Sequence, residues 1–189
     1  MPFNFPIALT WLRIAIIPFF VALFYVPDAI LPMAVRDAIA AWLFVVAAVT
    51  DWLDGWLARR WNQTSSFGAF LDPVADKLMV SAALLVLLHL DRVGSLVALI
   101  IIGREIAISA LREWMAQIGA GASVAVHWLG KFKTAAQMIA IPCLLHSQDW
   151  FGFPVGLIGQ VLIWVAAALT VWSMFYYLKK AWPEIQARA

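Results

Sequence analysis

The sequence has 189 residues, of which 65% are hydrophobic and only 13% are charged, with a mean hydropathy of +0.89. A soluble domain is typically about 45 to 50% apolar and about 25% charged, so this chain lacks the polar residues that would cover a globular surface. The composition therefore predicts a membrane protein and excludes a disordered chain. The single cysteine, Cys143, excludes a secreted scaffold held together by disulfides.

Taken in chain order, six apolar windows suit membrane-spanning helices. They run from Leu9 to Val26, Arg36 to Asp51, Phe70 to Leu90, Val93 to Leu111, Trp128 to His146 and Val155 to Tyr177. The stretch from Pro2 to Trp11 predicts a short interfacial segment before the first span. The second helix is expected to continue through Arg60, because residues 51–60 remain rich in Trp, Leu and Ala. The predicted fold is all-α, a polytopic bundle forming a single domain over residues 1–189.

The basic residues fall mainly on one side of this topology. With the N-terminus inside, the cytoplasmic side receives Arg13, Arg59, Arg60, Lys77, Arg104, Arg112, Lys131, Lys133, Lys179, Lys180 and Arg188. The other side receives only Arg36 and Arg92. Because loops rich in Lys and Arg stay in the cytoplasm, both termini are predicted to be cytoplasmic.

Residues 1–26 show neither an early basic cluster nor a cleavage pattern before Pro27, so this segment is expected to be retained. The formal charge of +2 suits contact with anionic lipid and does not indicate nucleic acid.

Four carboxylates stand where two of the predicted helices meet. Asp51 and Asp54 are three residues apart, and Asp72 and Asp76 are four apart, so each pair shares one helix face. The polar connection between the pairs is short enough for antiparallel neighbours. An Asp at the centre of a membrane helix costs about 2.5 to 3.5 kcal/mol, so the set requires a compensating partner. Divalent cations would compensate, and oxygen ligands favour Mg²⁺, Mn²⁺ or Ca²⁺ over Zn²⁺.

Two such ions would suit displacement at phosphorus, and the intervening residues agree with that hypothesis. Gly55, Ala58 and Gly68 leave room for a phosphate ester or a close helix, and Arg59 offers a fork for a phosphate oxygen. The alternative for the glycines and the alanine is tight helix packing alone. The alternative for the aspartates is salt bridging to Arg59, Arg60 and Lys77, which would leave one of four acids unpaired.

Written out, the segment reads Asp51-x2-Asp54-Gly55-x2-Ala58-Arg59-x8-Gly68-x3-Asp72-x3-Asp76. It resembles the signature of the CDP-alcohol phosphatidyltransferase family at every fixed position, including the spacer. Further motifs resemble the bacterial phosphatidylglycerophosphate synthase branch of that family. They are Asn4-x-Pro6, Leu9-Thr10-x2-Arg13, Arg104-Glu105-Ile106, Ser109-x-Leu111-Arg112-Glu113 and Gly130-Lys131-x-Lys133-Thr134-x2-Gln137. Ile7 and His127 are less typical, which puts local substrate contacts in doubt and leaves the reaction class intact.

The resemblance implies six transmembrane helices in the bacterial cytoplasmic membrane and a homodimer. It implies transfer of a phosphatidyl group from CDP-diacylglycerol to an alcohol with release of CMP. By the same resemblance, Asp51, Asp54, Asp72 and Asp76 would bind two divalent ions, Mg²⁺ or Mn²⁺, and Asp76 would be the general base. Gly55, Ala58 and Arg59 would accommodate the cytidine diphosphate portion, with Gly68 beside them and Asn4 and Thr10 near the nucleotide.

Basic residues in the second half indicate the acceptor. Arg104 and Arg112 are eight residues apart, about two helical turns, so they can share a face. Lys131 and Lys133 stand at the start of the fifth span, where anchoring at the interface is the alternative. Such a cluster suits an acceptor that carries a phosphate, and glycerol 3-phosphate fits.

Two groups of alternatives remain open at this point. Within the family, the acceptor could be inositol phosphate, phosphatidylglycerol or serine. From a different class, the carboxylate pairs could line the path of a divalent-cation transporter, although the glycines, Arg59 and the fixed spacer would then have no explanation.

Overall fold

The computed structural model describes residues 5–60, 66–119, 128–149 and 152–186. Within these ranges the chain forms six α-helices and no strand. The helices are α1 (Phe5–Ala22), α2 (Met33–Arg60), α3 (Ser66–His89), α4 (Ser95–Gln117), α5 (Trp128–His146) and α6 (Val155–Gln186). A short 3-10 helix, Leu23–Tyr25, follows α1. The prediction of an all-helical fold is confirmed.

Each predicted span lies largely within one helix, and α2 and α6 exceed their apolar windows by the most. α2 continues without interruption to Arg60, as predicted, so its last three turns carry the first half of the aspartate signature. α6 continues beyond Tyr177 to Gln186. The predicted interfacial segment is not a separate element where the structure describes it, because α1 begins at Phe5 and runs directly into the apolar window. Pro6 does not interrupt it, since the first turn of a helix tolerates a missing N–H.

The bundle has a largely apolar interior and an apolar exterior. The interior combines small and large side chains from all six helices, such as Ala40, Ala83 and Ala140 with Phe44 and Leu87. Many large apolar side chains nevertheless point outward, among them Phe19, Leu99, Leu157 and Trp172, each more than half exposed. A soluble protein rarely exposes so much contiguous apolar surface. These faces fit contact with lipid, and the chain is a membrane protein.

Three of the described helices are long and apolar enough to cross a membrane by length and composition, over Ile7–Tyr25, Met33–Asp51 and Val155–Gln186. The other three carry polar residues that the sequence analysis assigned to the site: Asp72 and Asp76 on α3, Arg104 and Arg112 on α4, and Lys131 and Lys133 on α5. Polar residues lower the mean hydropathy of a sequence window whether or not the helix lies in a membrane.

The two arginines expected on the outer side are both held in ion pairs. Arg92 follows α3 and binds Asp37 of α2 through two contacts, at 3.0 and 2.7 Å. Its guanidinium also donates to the carbonyl of Leu145 at 2.7 Å. Arg36 pairs with Asp28 and donates to the carbonyl of Val26. This cluster ties together the start of α2, the end of α3 and the end of α5.

In the described part of the chain, the glycine that allows the closest approach of two helices is Gly159, where α6 packs against α5. A Cβ atom at Gly159 of α6 would lie 2.8 Å from Cγ of Leu144 and 3.1 Å from Cβ of Cys143. Real side chains do not approach so closely, so the glycine sets the distance between these two helices. That distance also fixes how α6 lies against the rest of the bundle.

Candidate functional site

Helix α1 directs two buried polar side chains at the acidic residues of its neighbours. The Thr10 hydroxyl donates a hydrogen bond to Oδ1 of Asp72 on α3 at 2.7 Å. Nη1 of Arg13 contacts Oδ1 of Asp51 on α2 at 2.6 Å. Thr10 and Arg13 are three residues apart and therefore lie on one face of α1. α1 thus joins the two halves of the aspartate signature.

Asp76 is half-buried and lies among charged residues of three other helices. Its acidic neighbours are Asp51 and Glu105, and its basic neighbours are Arg13 and Lys77. It lines a small cavity that also contains Arg13, Phe44, Ala47, Ala48, Met79, Val80 and Met138. The carboxylates of α2 and α3 therefore act on one another across the bundle, as two like charges in an apolar setting.

Several of the predicted site residues can be placed only partly. Gly68 is buried in the first turn of α3. Asp54, Gly55, Ala58 and Arg59 belong to the last turns of α2, but their side chains lie outside those described. Asn4 lies outside the described residues altogether. Arg60, which could have paired with the aspartates, lies over the ring of Trp56 at 5.2 Å.

The donor chemistry of this acidic set fits a divalent cation. Asp51, Asp72 and Asp76 supply only oxygen atoms, which Mg²⁺ and Mn²⁺ prefer. Asp51 and Asp76 are like charges on facing helices, and Arg13 is the cation that the protein itself places beside them. Among the described side chains, no three His, Cys, Asp or Glu residues lie close enough to hold a metal by themselves. Asp54, whose side chain is not among them, is the remaining carboxylate of the signature.

The basic set lies on α4 and α5 and adjoins the acidic set. Arg104 is 8% exposed and Lys133 is 2% exposed, so both cations are buried. The Lys133 ammonium pairs with Glu105, and Nη1 of Arg104 lies 3.4 Å from the same carboxylate. Glu105 and Lys133 both act electrostatically on Asp76. The side chain of Lys131 lies outside those described.

The two arginines of α4 donate to two residues on one face of α6. Nη2 of Arg104 donates to the hydroxyl of Ser173 at 3.0 Å. Nη2 of Arg112 donates to the hydroxyl of Tyr177 at 3.0 Å. Nε of each arginine is buried and has no hydrogen-bond partner among the described residues. Buried donors without partners are rare in folded proteins, so both are candidates to bind a ligand.

Sequence reasoning did not assign four residues of this constellation to the site. In the sequence, Arg13 and Glu105 stand out only as members of motifs, and Ser173 and Tyr177 belong to an apolar span. The signal for the first two was a charge interrupting an apolar run. Ser173 and Tyr177 gave a weaker signal, because single Ser and Tyr residues are common in membrane helices.

The fold and these two adjoining clusters are those of a membrane enzyme that handles charged phosphate esters. A family model for CDP-alcohol phosphatidyltransferase matches residues 3–172. The chain belongs to the CDP-alcohol phosphatidyltransferase family, whose members generally depend on a divalent metal ion. The resemblance stated from the sequence is thereby confirmed.

Curated relatives match almost the whole chain. A protein of Yersinia enterocolitica is 51% identical over 187 residues, which cover 98% of each sequence. Proteins of Pectobacterium atrosepticum and Shigella flexneri are 52% and 53% identical, over 96% of each sequence. All three are named CDP-diacylglycerol--glycerol-3-phosphate 3-phosphatidyltransferase.

Proposed function

We propose that this protein transfers the phosphatidyl group of CDP-diacylglycerol to glycerol 3-phosphate, giving phosphatidylglycerophosphate and CMP in phospholipid biosynthesis. The observation that carries the proposal is the proximity of the two charged clusters, because Glu105 and Lys133 lie close enough to Asp76 to act on it electrostatically. An acidic set suits a metal-bound diphosphate, and a basic set beside it suits a second, phosphorylated substrate. The names of relatives at 51 to 53% identity support the same assignment.

The membrane arrangement follows from the charges. We propose that all six helices span the bacterial cytoplasmic membrane as one domain over residues 1–189, with both termini and the site on the cytoplasmic side. Asp37 and Asp51 are 14 residues apart on α2, which places them about 21 Å apart along the helix. The outer arginine cluster and the site therefore belong to opposite ends of the bundle. The resemblance also implies a homodimer, which we include in the proposal.

The acidic set would hold the nucleotide end of the lipid substrate. Asp51, Asp54, Asp72 and Asp76 would bind two divalent ions, Mg²⁺ or Mn²⁺. When bound, these ions would compensate the charge of the diphosphate and make the acceptor hydroxyl more acidic. Gly55, Ala58, Arg59 and Gly68 would accommodate the cytidine diphosphate portion, with Asn4 and Thr10 beside it. Thr10 fits this position because it contacts Asp72.

The reaction exchanges one ester oxygen for another at phosphorus. The acceptor hydroxyl oxygen forms a bond to the phosphorus that carries the diacylglycerol. The bond from that phosphorus to the bridging oxygen breaks, and CMP leaves with that oxygen and its negative charge. Asp76 accepts the proton of the hydroxyl. Arg59 lies in the turn of α2 that follows Gly55 and would stabilise the charge on the departing phosphate.

The acceptor would be recognised by its own phosphate. Arg104 and Arg112 share a face of α4, and each has a buried Nε without a partner among the described residues. Together with Lys131 and Lys133 they would bind the phosphate of glycerol 3-phosphate. Glycerol is uncharged and serine is a zwitterion without a phosphate, so neither offers a phosphate to Arg112, which forms no ion pair with a described residue.

The test is CMP release by the purified protein with CDP-diacylglycerol and Mg²⁺. We expect release with glycerol 3-phosphate, and much less with serine, inositol phosphate, phosphatidylglycerol or glycerol at the same concentration. Asp72→Asn and Asp76→Asn should abolish release, whereas the matched control Asp91→Asn should not. Asp91 is exposed in the turn after α3 and has a φ of 56°, a conformation that Asn also adopts. Chelation should stop the reaction and added Mg²⁺ or Mn²⁺ should restore it.

A preference for another acceptor would overturn the assignment of the substrate while leaving the reaction class intact. Full activity of Asp76→Asn would overturn the assignment of the base. Release of CMP at an unchanged rate after chelation would contradict the role given to the metal ions.

A further inference from the structure

Helix α6 carries a stripe of buried polar side chains on an otherwise apolar helix, and apolar side chains would fill the same space without needing hydrogen-bond partners. The stripe consists of Thr170, Ser173 and Tyr177, which are 0%, 2% and 1% exposed. Their spacings of three and four residues place them on one face of the helix. That face is turned toward α4, because Ser173 and Tyr177 contact its two arginines.

Ser173 is fixed as an acceptor for Arg104. Its hydroxyl donates to the carbonyl of Thr170 at 3.0 Å, one turn earlier on the same helix. The hydroxyl proton is therefore used, and a lone pair of the same oxygen accepts from Nη2 of Arg104 at 3.0 Å. A serine held in this way orients one nitrogen of the guanidinium without adding a negative charge.

Tyr177 serves both arginines at once. Its hydroxyl accepts from Nη2 of Arg112 at 3.0 Å. Its ring lies beneath both guanidinium groups, with the Cζ atoms of Arg104 and Arg112 at 5.6 and 5.0 Å from the ring centroid. The face of an aromatic ring attracts a cation through its quadrupole and carries no net charge. The ring can therefore hold two like charges side by side without neutralising either.

Lys133, unlike Arg112, has a negatively charged partner. Lys133 pairs directly with the Glu105 carboxylate, which balances its charge within the protein. No described residue forms an ion pair with Arg112. The difference leaves Arg112 oriented and still in need of an anion, which is the condition that favours binding of a phosphate group.

We propose that Tyr177, assisted by Ser173, is the positioning residue that sets Arg104 and Arg112 to select a phosphorylated acceptor. The inference rests on the proposed function, since it concerns the acceptor side of the same reaction. Tyr177 acts through the arginines, which it meets with its hydroxyl and its ring. Its loss should therefore weaken acceptor binding and leave binding of CDP-diacylglycerol as it is.

The experiment compares Tyr177→Phe, Tyr177→Leu and Ser173→Ala with the wild type in the CMP-release assay. For Tyr177→Phe we expect the KM for glycerol 3-phosphate to rise about tenfold, the factor for one lost hydrogen bond to a charged group. Tyr177→Leu, which also removes the ring, should raise it further. The kcat at saturating glycerol 3-phosphate and the KM for CDP-diacylglycerol should each stay within about twofold in Tyr177→Phe.

A second readout separates positioning from a structural role. If Tyr177 orients the arginines for a phosphate, its loss should lower the preference for glycerol 3-phosphate over glycerol by the same factor, because glycerol lacks the phosphate. The matched control is Tyr176→Phe. Tyr176 is adjacent and half-buried, and its ring lies by Lys180 at 5.3 Å, so neither KM should change.

Each contrary result has a distinct meaning. An unchanged KM for glycerol 3-phosphate in both Tyr177→Phe and Ser173→Ala would overturn the inference, as would an equal rise in both KM values. If Tyr177→Phe does not fold, Ser173→Ala decides by the same two readouts. A wild type that uses a different acceptor would refute the proposed function itself, and that result is visible before any variant is measured.

Discussion

The contact between Thr10 and Asp72 gives a sharp test of how α1 contributes to the site. Thr10→Val keeps the shape of the side chain and removes the hydroxyl that donates to Oδ1 of Asp72 at 2.7 Å. A hydrogen bond to a charged group contributes about 1.5 to 3 kcal/mol, and the half-buried Asp72 argues for the lower end. That energy corresponds to about tenfold. We therefore expect the Mg²⁺ concentration at half-maximal CMP release to rise about tenfold in Thr10→Val, because Asp72 is then less well oriented.

The matched control is Thr10→Ser, which retains the hydroxyl and loses only a methyl group. It should respond to Mg²⁺ almost as the wild type does, apart from a small loss of packing at this buried position. Equal Mg²⁺ curves for Thr10→Val and the wild type would show that the hydroxyl does not orient Asp72 for metal binding. A large effect in both variants would assign the role to the packing of Thr10 instead.

Two further predictions concern the framework that holds the site. Asp37→Ala leaves the half-buried guanidinium of Arg92 without its carboxylate, so the free energy of unfolding should fall by about 3 kcal/mol, the lower end of the range for a broken buried pair. Thermal unfolding in detergent would measure this, and an unchanged midpoint would contradict it. Gly159→Val places a branched side chain where Leu144 lies 2.8 Å from the new Cβ, which should cost about 1 to 3 kcal/mol through overpacking. Gly156→Ala, which meets only a carbonyl oxygen at 3.3 Å, is the milder comparison in the same assay.

The sequence predicted those features that depend on neighbours along the chain. The continuation of α2 to Arg60 followed from the Trp, Leu and Ala residues around its aspartates. The shared face of Arg104 and Arg112 followed from helical periodicity, and both arginines do meet Tyr177. Such inferences need only the repeat of one helix, which is a local property.

Pairings between helices could not be predicted in the same way. Arg13 and Asp51 are 38 residues apart, and Arg112 and Tyr177 are 65 apart. Their contacts depend on how the helices are rotated and crossed, which the packing of many side chains decides together. The charge of Arg13 was visible in the sequence, but its partner was not. Hydropathy is a weak predictor of membrane spans for a related reason. The polar residues of the candidate site on α3, α4 and α5 lower the mean hydropathy of those helices.

Arg92 and Arg112, at opposite ends of the bundle, have opposite kinds of partner. Arg92 meets the Asp37 carboxylate through two contacts and a backbone carbonyl through a third, so its charge is balanced within the protein. At the other end, Arg112 meets a hydroxyl and an aromatic ring, neither of which carries a charge. A buried cation with neutral partners is less stable than one beside a carboxylate. If Arg112 served only to hold α4 to α6, an acidic residue at position 177 would do so better, and the neutral tyrosine is explained once the missing anion is the substrate's phosphate.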